Sequence, residues 1–200
     1  MPPNLVPPLT PVVLEGRWVR LEPLTLAHVP RLTHVAFDED LWKWTVEQVR
    51  TEADLAAYVQ RALDQQSTGT ALPFATVERS SRRAIGSTRF AQFEREHARV
   101  EIGLTWIGRE WQRTATNTEA KLLMLTHAFD TLGMRRVELK TDVLNERSRR
   151  AIARLGAVEE GVFRQHVMTN SGRVRDTVYY SILSREWPAV RAGLAAKLAR

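Results

Sequence analysis

Cysteine is absent from this 200-residue sequence. Disulfide frameworks, thiolate nucleophiles and cysteine-ligated metals are therefore excluded. Lysine is scarce: Lys43, Lys121, Lys140 and Lys197 are the only ones. The net charge of +6 is thus carried by arginine, whose planar guanidinium suits bidentate recognition of phosphate and carboxylate. No block of like charges or basic–aromatic interleaving marks a nucleic-acid surface. No apolar run is long enough for a membrane span, and "MPPNLVPPLTP" lacks the charged-then-apolar order of a secretory signal. A cytoplasmic protein is the expectation. The histidines lack ligand spacing, since His28 and His34 stand six apart on one early helix and His97, His127 and His166 are scattered. No metal site is expected, and His166 is expected at the surface.

What is present reads as one domain, residues 12–186, between a proline-rich arm, residues 1–11, and a helical tail, residues 187–200. "RWVRLEPLT" suggests a first strand, and two helices follow. The second helix opens on Thr51, with Asp54 in capping-box position. "LPFATVERSS" and "RAIGSTRFAQFE" read as a hairpin, and "ARVEIGLTWIG" as a further strand. Strict alternation there puts Val100, Ile102, Leu104 and Trp106 on one face and Glu101, Gly103 and Thr105 on the other. From Thr116 the period becomes helical until Gly133. "RRVELKTD" is a strand, "NERSRRAIARLGA" a helix ending at Gly156, and two strands around "TNSGR" close the sheet. Trp42 and Trp44, between the early helices, fit either an aromatic wall for substrate or a cover on the core. The order predicts an α/β (α+β) fold, a mixed sheet with helices on both faces.

The chemistry concentrates between Glu110 and Ala157, where two helix starts lie close together in sequence. A helix start offers free N–H groups and a positive dipole end to an anion. Arg109 and Arg113 are placed to add charge-assisted bonds to a phosphate or pyrophosphate. The same residues also fit an ordinary capping box of Thr116 with Glu119. At the second start Asn145 can cap the helix or hold a ligand amide, and Ser148 lies in line with Ile152 on the inward side.

Together "WQRTATNTEAKLLMLTHAF" and "VELKTDVLNERSRRAIARLGA" resemble the GCN5-related N-acetyltransferase (GNAT) superfamily. The likeness is greatest to its RimJ/RimL-like branch, which acetylates protein N-termini and other amines. It extends over roughly 12–183. The family's pyrophosphate loop runs Gln/Arg-x-x-Gly-x-Gly/Ala. Here it reads Gln112-Arg113-Thr114-Ala115-Thr116-Asn117, with Ala115 and Asn117 at the two small positions. The resemblance implies a mostly antiparallel sheet splayed into a V, with acetyl-CoA in the cleft as acyl donor. It places pantetheine against the backbone of Leu104, Thr105, Trp106 and Ile107, pyrophosphate on residues 112–117, and Asn145 beside the pantetheine. Acceptors implied are a protein N-terminus or a small amine, and many relatives form homodimers. Direct transfer needs a base for the amine and a donor for the departing thiolate. Glu101, which breaks the apolar alternation, is the candidate base, and Ser148 the candidate donor. A catalytically silent CoA-binding regulatory domain and an arginine-rich nucleic-acid-binding module are the alternatives.

Overall fold

A computed structural model describes residues 6–199 of the chain. Eight strands form one sheet: β1 (Leu14–Glu15), β2 (Val19–Pro23), β3 (Leu72–Glu78), β4 (Ala84–Glu94), β5 (Arg99–Ile107), β6 (Arg136–Asp142), β7 (Val158–Met168) and β8 (Val174–Leu183). Their order across the sheet is β1-β2-β3-β4-β5-β6-β8-β7. Only the β5–β6 pair is parallel. The helices are α1 (Val29–Ala36), α2 (Glu52–Ser67), α3 (Ala115–Thr126), α4 (Glu146–Leu155) and α5 (Trp187–Leu198).

Alternating side chains divide the interior into two layers. Val19, Phe74, Phe90, Val100, Val137 and Val178 face α3, α4 and α5, which contribute Met124, Ile152 and Leu194. Ala75, Ile85 and Trp106 face α1 and α2, which contribute Leu32 and Tyr58. The C-terminal helix is part of the first layer, since Trp187 stacks on Phe129 at 5.4 Å. The first five residues of the N-terminal arm lie outside the described residues, and Val6 is buried in the same layer.

Local sequence explains most helix ends. Thr51 and Asp54 exchange the two bonds of a capping box. Asn145 caps α4 by accepting the Ser148 N–H at 3.1 Å, and Gly156 ends it in the left-handed region at φ +97°. The expected Thr116–Glu119 box does not form. Thr114 is the N-cap of α3 and accepts the Thr116 N–H at 3.3 Å. Glu119 instead points into the protein and accepts the backbone N–H groups of Arg17, Trp18 and Val19 at 2.7, 2.7 and 2.8 Å. A Cβ on Gly16 would lie 2.3 Å from that carboxylate carbon, so the turn before β2 needs glycine. A charged acceptor serving three backbone donors ties β2 to α3. Glu119→Ala should lower stability in urea unfolding by about 2 to 3 kcal/mol, from buried donors left unpaired.

Candidate functional site

The parallel pairing of β5 with β6 stops early. Arg99, Val100 and Glu101 pair with Arg136, Val137 and Glu138, and no pairing follows although β5 runs to Ile107 and β6 to Asp142. The sheet therefore opens into a V, leaving one backbone edge of β5 free to bond a ligand. A bulge accompanies the opening. Ser87 pairs with Trp106 and Arg89 with Gly103, so β5 holds an extra residue there. Leu104 occupies it in the left-handed region at φ +49°. This corrects the strict alternation expected from the sequence, since the bulge turns the pattern over. Leu104 is 37% exposed, Trp106 enters the α1–α2 layer, and Thr105 faces α3.

The bulge is held from both sides of the sheet. On one side the Tyr58 hydroxyl donates to the Leu104 carbonyl at 3.4 Å and accepts from Trp106 Nε1 at 3.3 Å. On the other, Lys121 Nζ donates to Thr105 Oγ1 at 2.7 Å and Thr88 Oγ1 at 3.1 Å. Lys121 sits on the inward face of α3 beside Met124 and Leu125, all three buried. It has no salt bridge to any described residue, and burial alone pushes its pKa down to about 7. The sequence analysis missed this residue. The signal was there: Lys121, Met124, Leu125 and Ala128 follow the helical apolar spacing, with a lysine in the first place.

The loop after β5 brings the two helix starts together. Gln112 Nε2 donates to the Ile107 carbonyl at 2.9 Å, and Gln112 Oε1 accepts from Arg147 Nη1, on α4, at 2.8 Å. Arg113 is exposed in the left-handed region at φ +64°. Thr114 to Asn117 form the cap and first turn of α3, with Ala115 and Asn117 half-buried. Arg109 does not join this loop. Asp38 accepts from it twice at 3.1 Å and Asp40 once at 2.8 Å, which draws the guanidinium towards the end of α1. The cations flanking the loop are Arg113 and Arg147. Sequence reasoning missed Arg147 because its bond to Gln112 spans 35 residues.

At the point of the V stands Glu101, 4% exposed. Its Oε2 is 2.7 Å from Lys140 Nζ on β6. Burial opposes the charge on Lys140, but Glu101 and Tyr179 outweigh it and raise its pKa above the ordinary lysine value. The other oxygen, Oε1, lies over Gly103, where a Cβ would approach to 2.3 Å. Gly103 thus leaves room for the carboxylate to lie along the cleft. Ser148 is half-buried in the first turn of α4, and its hydroxyl has no partner among the described residues.

On the face of Glu101, β8 and β7 present a polar and aromatic surface. The register pairs Lys140 with Tyr179 and Phe163 with Thr177. The Phe163 and Tyr179 rings meet edge to face at 4.6 Å. His166 is exposed, as expected, and it bonds Thr177 Oγ1 through Nδ1 at 3.1 Å and packs 5.5 Å from Phe163 and 5.8 Å from Tyr179. Partial burial, then the charges of Lys140 and Arg175, lower its pKa against the pull of Glu101. The shift favours the neutral ring. The two tryptophans divide their roles. Trp42 is core, donating Nε1 to the Ala36 carbonyl at 2.7 Å. Trp44 is half-buried with Arg173 5.5 Å above its ring. The β7–β8 turn fixes this segment, since Asn170 Nδ2 donates to the carbonyls of Trp42 at 2.8 Å and Glu47 at 2.5 Å. Among the described residues no cluster of histidine and carboxylate side chains is arranged to hold a metal ion, and no helix is long and apolar enough to cross a membrane.

Comparison with known proteins agrees with this geometry. Residues 19–158 match the family model described as "Acetyltransferase (GNAT) domain". The crystal structure of a GCN5-related N-acetyltransferase from Brucella melitensis superposes with a TM-score of 0.89 at 34% identity, covering 96% of this chain and 87% of that one. The Bacillus subtilis (strain 168) protein named "Putative ribosomal N-acetyltransferase YdaF" is 40% identical over 89 residues, 44% of this chain and 48% of its own. The Bacillus subtilis (strain 168) protein named "Uncharacterized N-acetyltransferase YoaA" is 32% identical over 105 residues, 52% of this chain and 58% of its own. The chain thus spans about half the length of these two curated relatives. The expected fold, a mostly antiparallel open sheet with helices on both faces, is the one observed.

Proposed function

The chain belongs to the acetyltransferase (GNAT) family, and from that premise we propose that it transfers an acetyl group directly from acetyl-CoA to a primary amine. The observation that carries the reading is the V between β5 and β6, with a free strand edge on one side and two helix starts at its mouth. In this reading the pantetheine arm extends along β5 from Gly103 to Ile107 and bonds the unpaired backbone there, as an added strand does. The pyrophosphate lies on the first turn of α3, where Gln112 to Asn117 offer backbone N–H groups and Arg113 and Arg147 add charge. CoA supplies the thioester, and the chain's own residues orient it and handle protons.

The amine approaches from the face that carries Glu101, Tyr179 and His166. It must lose a proton before it attacks, and Glu101 Oε1 is the acceptor placed for this, directly or through water. Lys140 holds the other oxygen and keeps the carboxylate aligned with the cleft. Ser148 donates to the departing thiolate. Its backbone is fixed by the Asn145 cap, so the hydroxyl is free for this role. In this site Asn145 serves the helix through Oδ1 and has its amide NH2 left for the pantetheine.

Mass spectrometry of products after incubation with acetyl-CoA and mixed amines tests the reading. The expected result is a mass gain of one acetyl group on at least one amine class, together with CoA release. Absence of CoA binding at millimolar ligand by calorimetry would refute it. Binding without transfer to any peptide or small amine would favour the regulatory alternative.

A further inference from the structure

Two carboxylates on the acceptor face are already committed to cations. Glu101 is paired with Lys140. Asp142, fully buried, uses both oxygens: Oδ2 takes Arg173, and Oδ1 accepts the Leu144 N–H at 2.9 Å. Arg175, on β8 four residues before Tyr179, has no ion pair among the described residues. Its single bond is from Nη1 to the Trp44 carbonyl at 3.3 Å. Its Nε is buried without any partner. Burial works against its charge, as does Arg173, while Asp142, Glu101 and Tyr179 favour it from beyond ion-pair distance. A guanidinium stays protonated at any working pH, so a half-buried one without a counter-ion is costly unless something else supplies the anion.

The surroundings narrow that anion. Trp44 forms one wall and the β7–β8 surface the other. The side chain remains partly open to solvent between them. With Nη1 on the Trp44 carbonyl and Nε buried, Nη2, which has no partner among the described residues, is the nitrogen left to meet a carboxylate oxygen. One leftover positive charge matches a monoanion better than a phosphate, which carries about −1.5 to −2. Resting on the transfer reading above, we propose that the acceptor carries a carboxylate besides its reacting amine, and that Arg175 binds it. Four residues of strand separate Arg175 from Tyr179, about 13 Å at the usual rise per residue. The guanidinium also lies beyond ion-pair distance from Glu101, so the carboxylate stands apart from the amine, as in an ω-amino acid or a peptide with an acidic residue just behind its N-terminus.

The experiment uses matched acceptors that differ only by carboxylate against carboxamide: ω-amino acids and their amides, and short peptides with Glu or Gln at the second or third position. Binding is read from tryptophan fluorescence in the presence of CoA, and turnover from CoA release. In at least one pair the carboxylate member should bind about tenfold or more tightly, the effect expected of a charge-assisted bond. Arg175→Gln should erase that difference while leaving CoA affinity and melting temperature near wild type. Arg175→Lys, charged but shorter and without the planar group, should recover only part of it. Equal binding of both members in every pair, or a preference that survives Arg175→Gln, overturns the proposal. A retained binding preference with no acetylated product supports this site and refutes the transfer reading instead.

Discussion

Glu101→Gln should lower turnover by about 100-fold while leaving CoA affinity within a few fold, since general-base assistance is typically worth about 100- to 10,000-fold. The substitution keeps the side chain's shape over Gly103 and removes the proton acceptor. It also leaves Lys140 without its carboxylate in a half-buried place, so melting temperature must be measured alongside. Gly103→Ala provides an independent check. The new methyl would meet Glu101 Oε1 at 2.3 Å and push the carboxylate out of line without changing its chemistry. Loss of turnover in both variants, at unchanged CoA affinity, identifies the oriented carboxylate as the working group. Ser148→Ala separates the donor from the base, because Asn145 still caps α4. If all three variants turn over as wild type, the assigned roles are wrong. Catalysis would then rest on positioning a neutral amine, with His166 as the nearest remaining proton acceptor on that face.

Lys121→Met should stabilise the protein at pH 6 by of the order of 2 to 5 kcal/mol, and this gain should shrink to less than about 1 kcal/mol by pH 10. Burial brings the Lys121 pKa to about 7 in the folded state, from an ordinary value of 10.5. Between those values the unfolded chain holds a proton that the folded chain does not, so wild-type stability rises with pH through that window. Below pH 7 the ammonium is present in both states, and the cost of burying it is borne in full. Well above pH 10.5 the amine is neutral in both, and methionine merely loses the bonds to Thr105 and Thr88. Urea unfolding of both proteins from pH 6 to 10 should therefore give curves that converge as pH rises. A constant difference across the range would mean that Lys121 is not titrating. The same variant removes one support of the bulge, and a several-fold rise in the KM for acetyl-CoA is expected. Unchanged CoA affinity at both ends of the range would assign Lys121 to packing alone.

The sequence by itself determined everything that depends on neighbours within about one helical turn or one hairpin. Thr51 with Asp54, Asn145 ahead of Ser148, and Gly156 after Leu155 each specify a helix end from a few contiguous residues. The strand and helix order followed from periodicity, and the stretch from Gln112 to Ala157 was enough to carry the family resemblance. Tertiary structure decided which residues meet across the sheet. Nothing local marks Leu104 for a left-handed backbone, since leucine strongly disfavours it. Pairing with β4 and the grip of Tyr58 and Lys121 hold it there. Glu119 read as a cap because its spacing from Thr116 fits one, yet three backbone donors a hundred residues away compete better for its carboxylate. Lys140 reaches Glu101, and Arg175 is left without an ion pair among the described residues, because the register of β6 with β5 and β8 decides which charges lie within reach. Local propensity sets the elements over a few residues of chain. Charge partners are chosen through space, after the sheet has closed, and so they become legible only in the folded molecule.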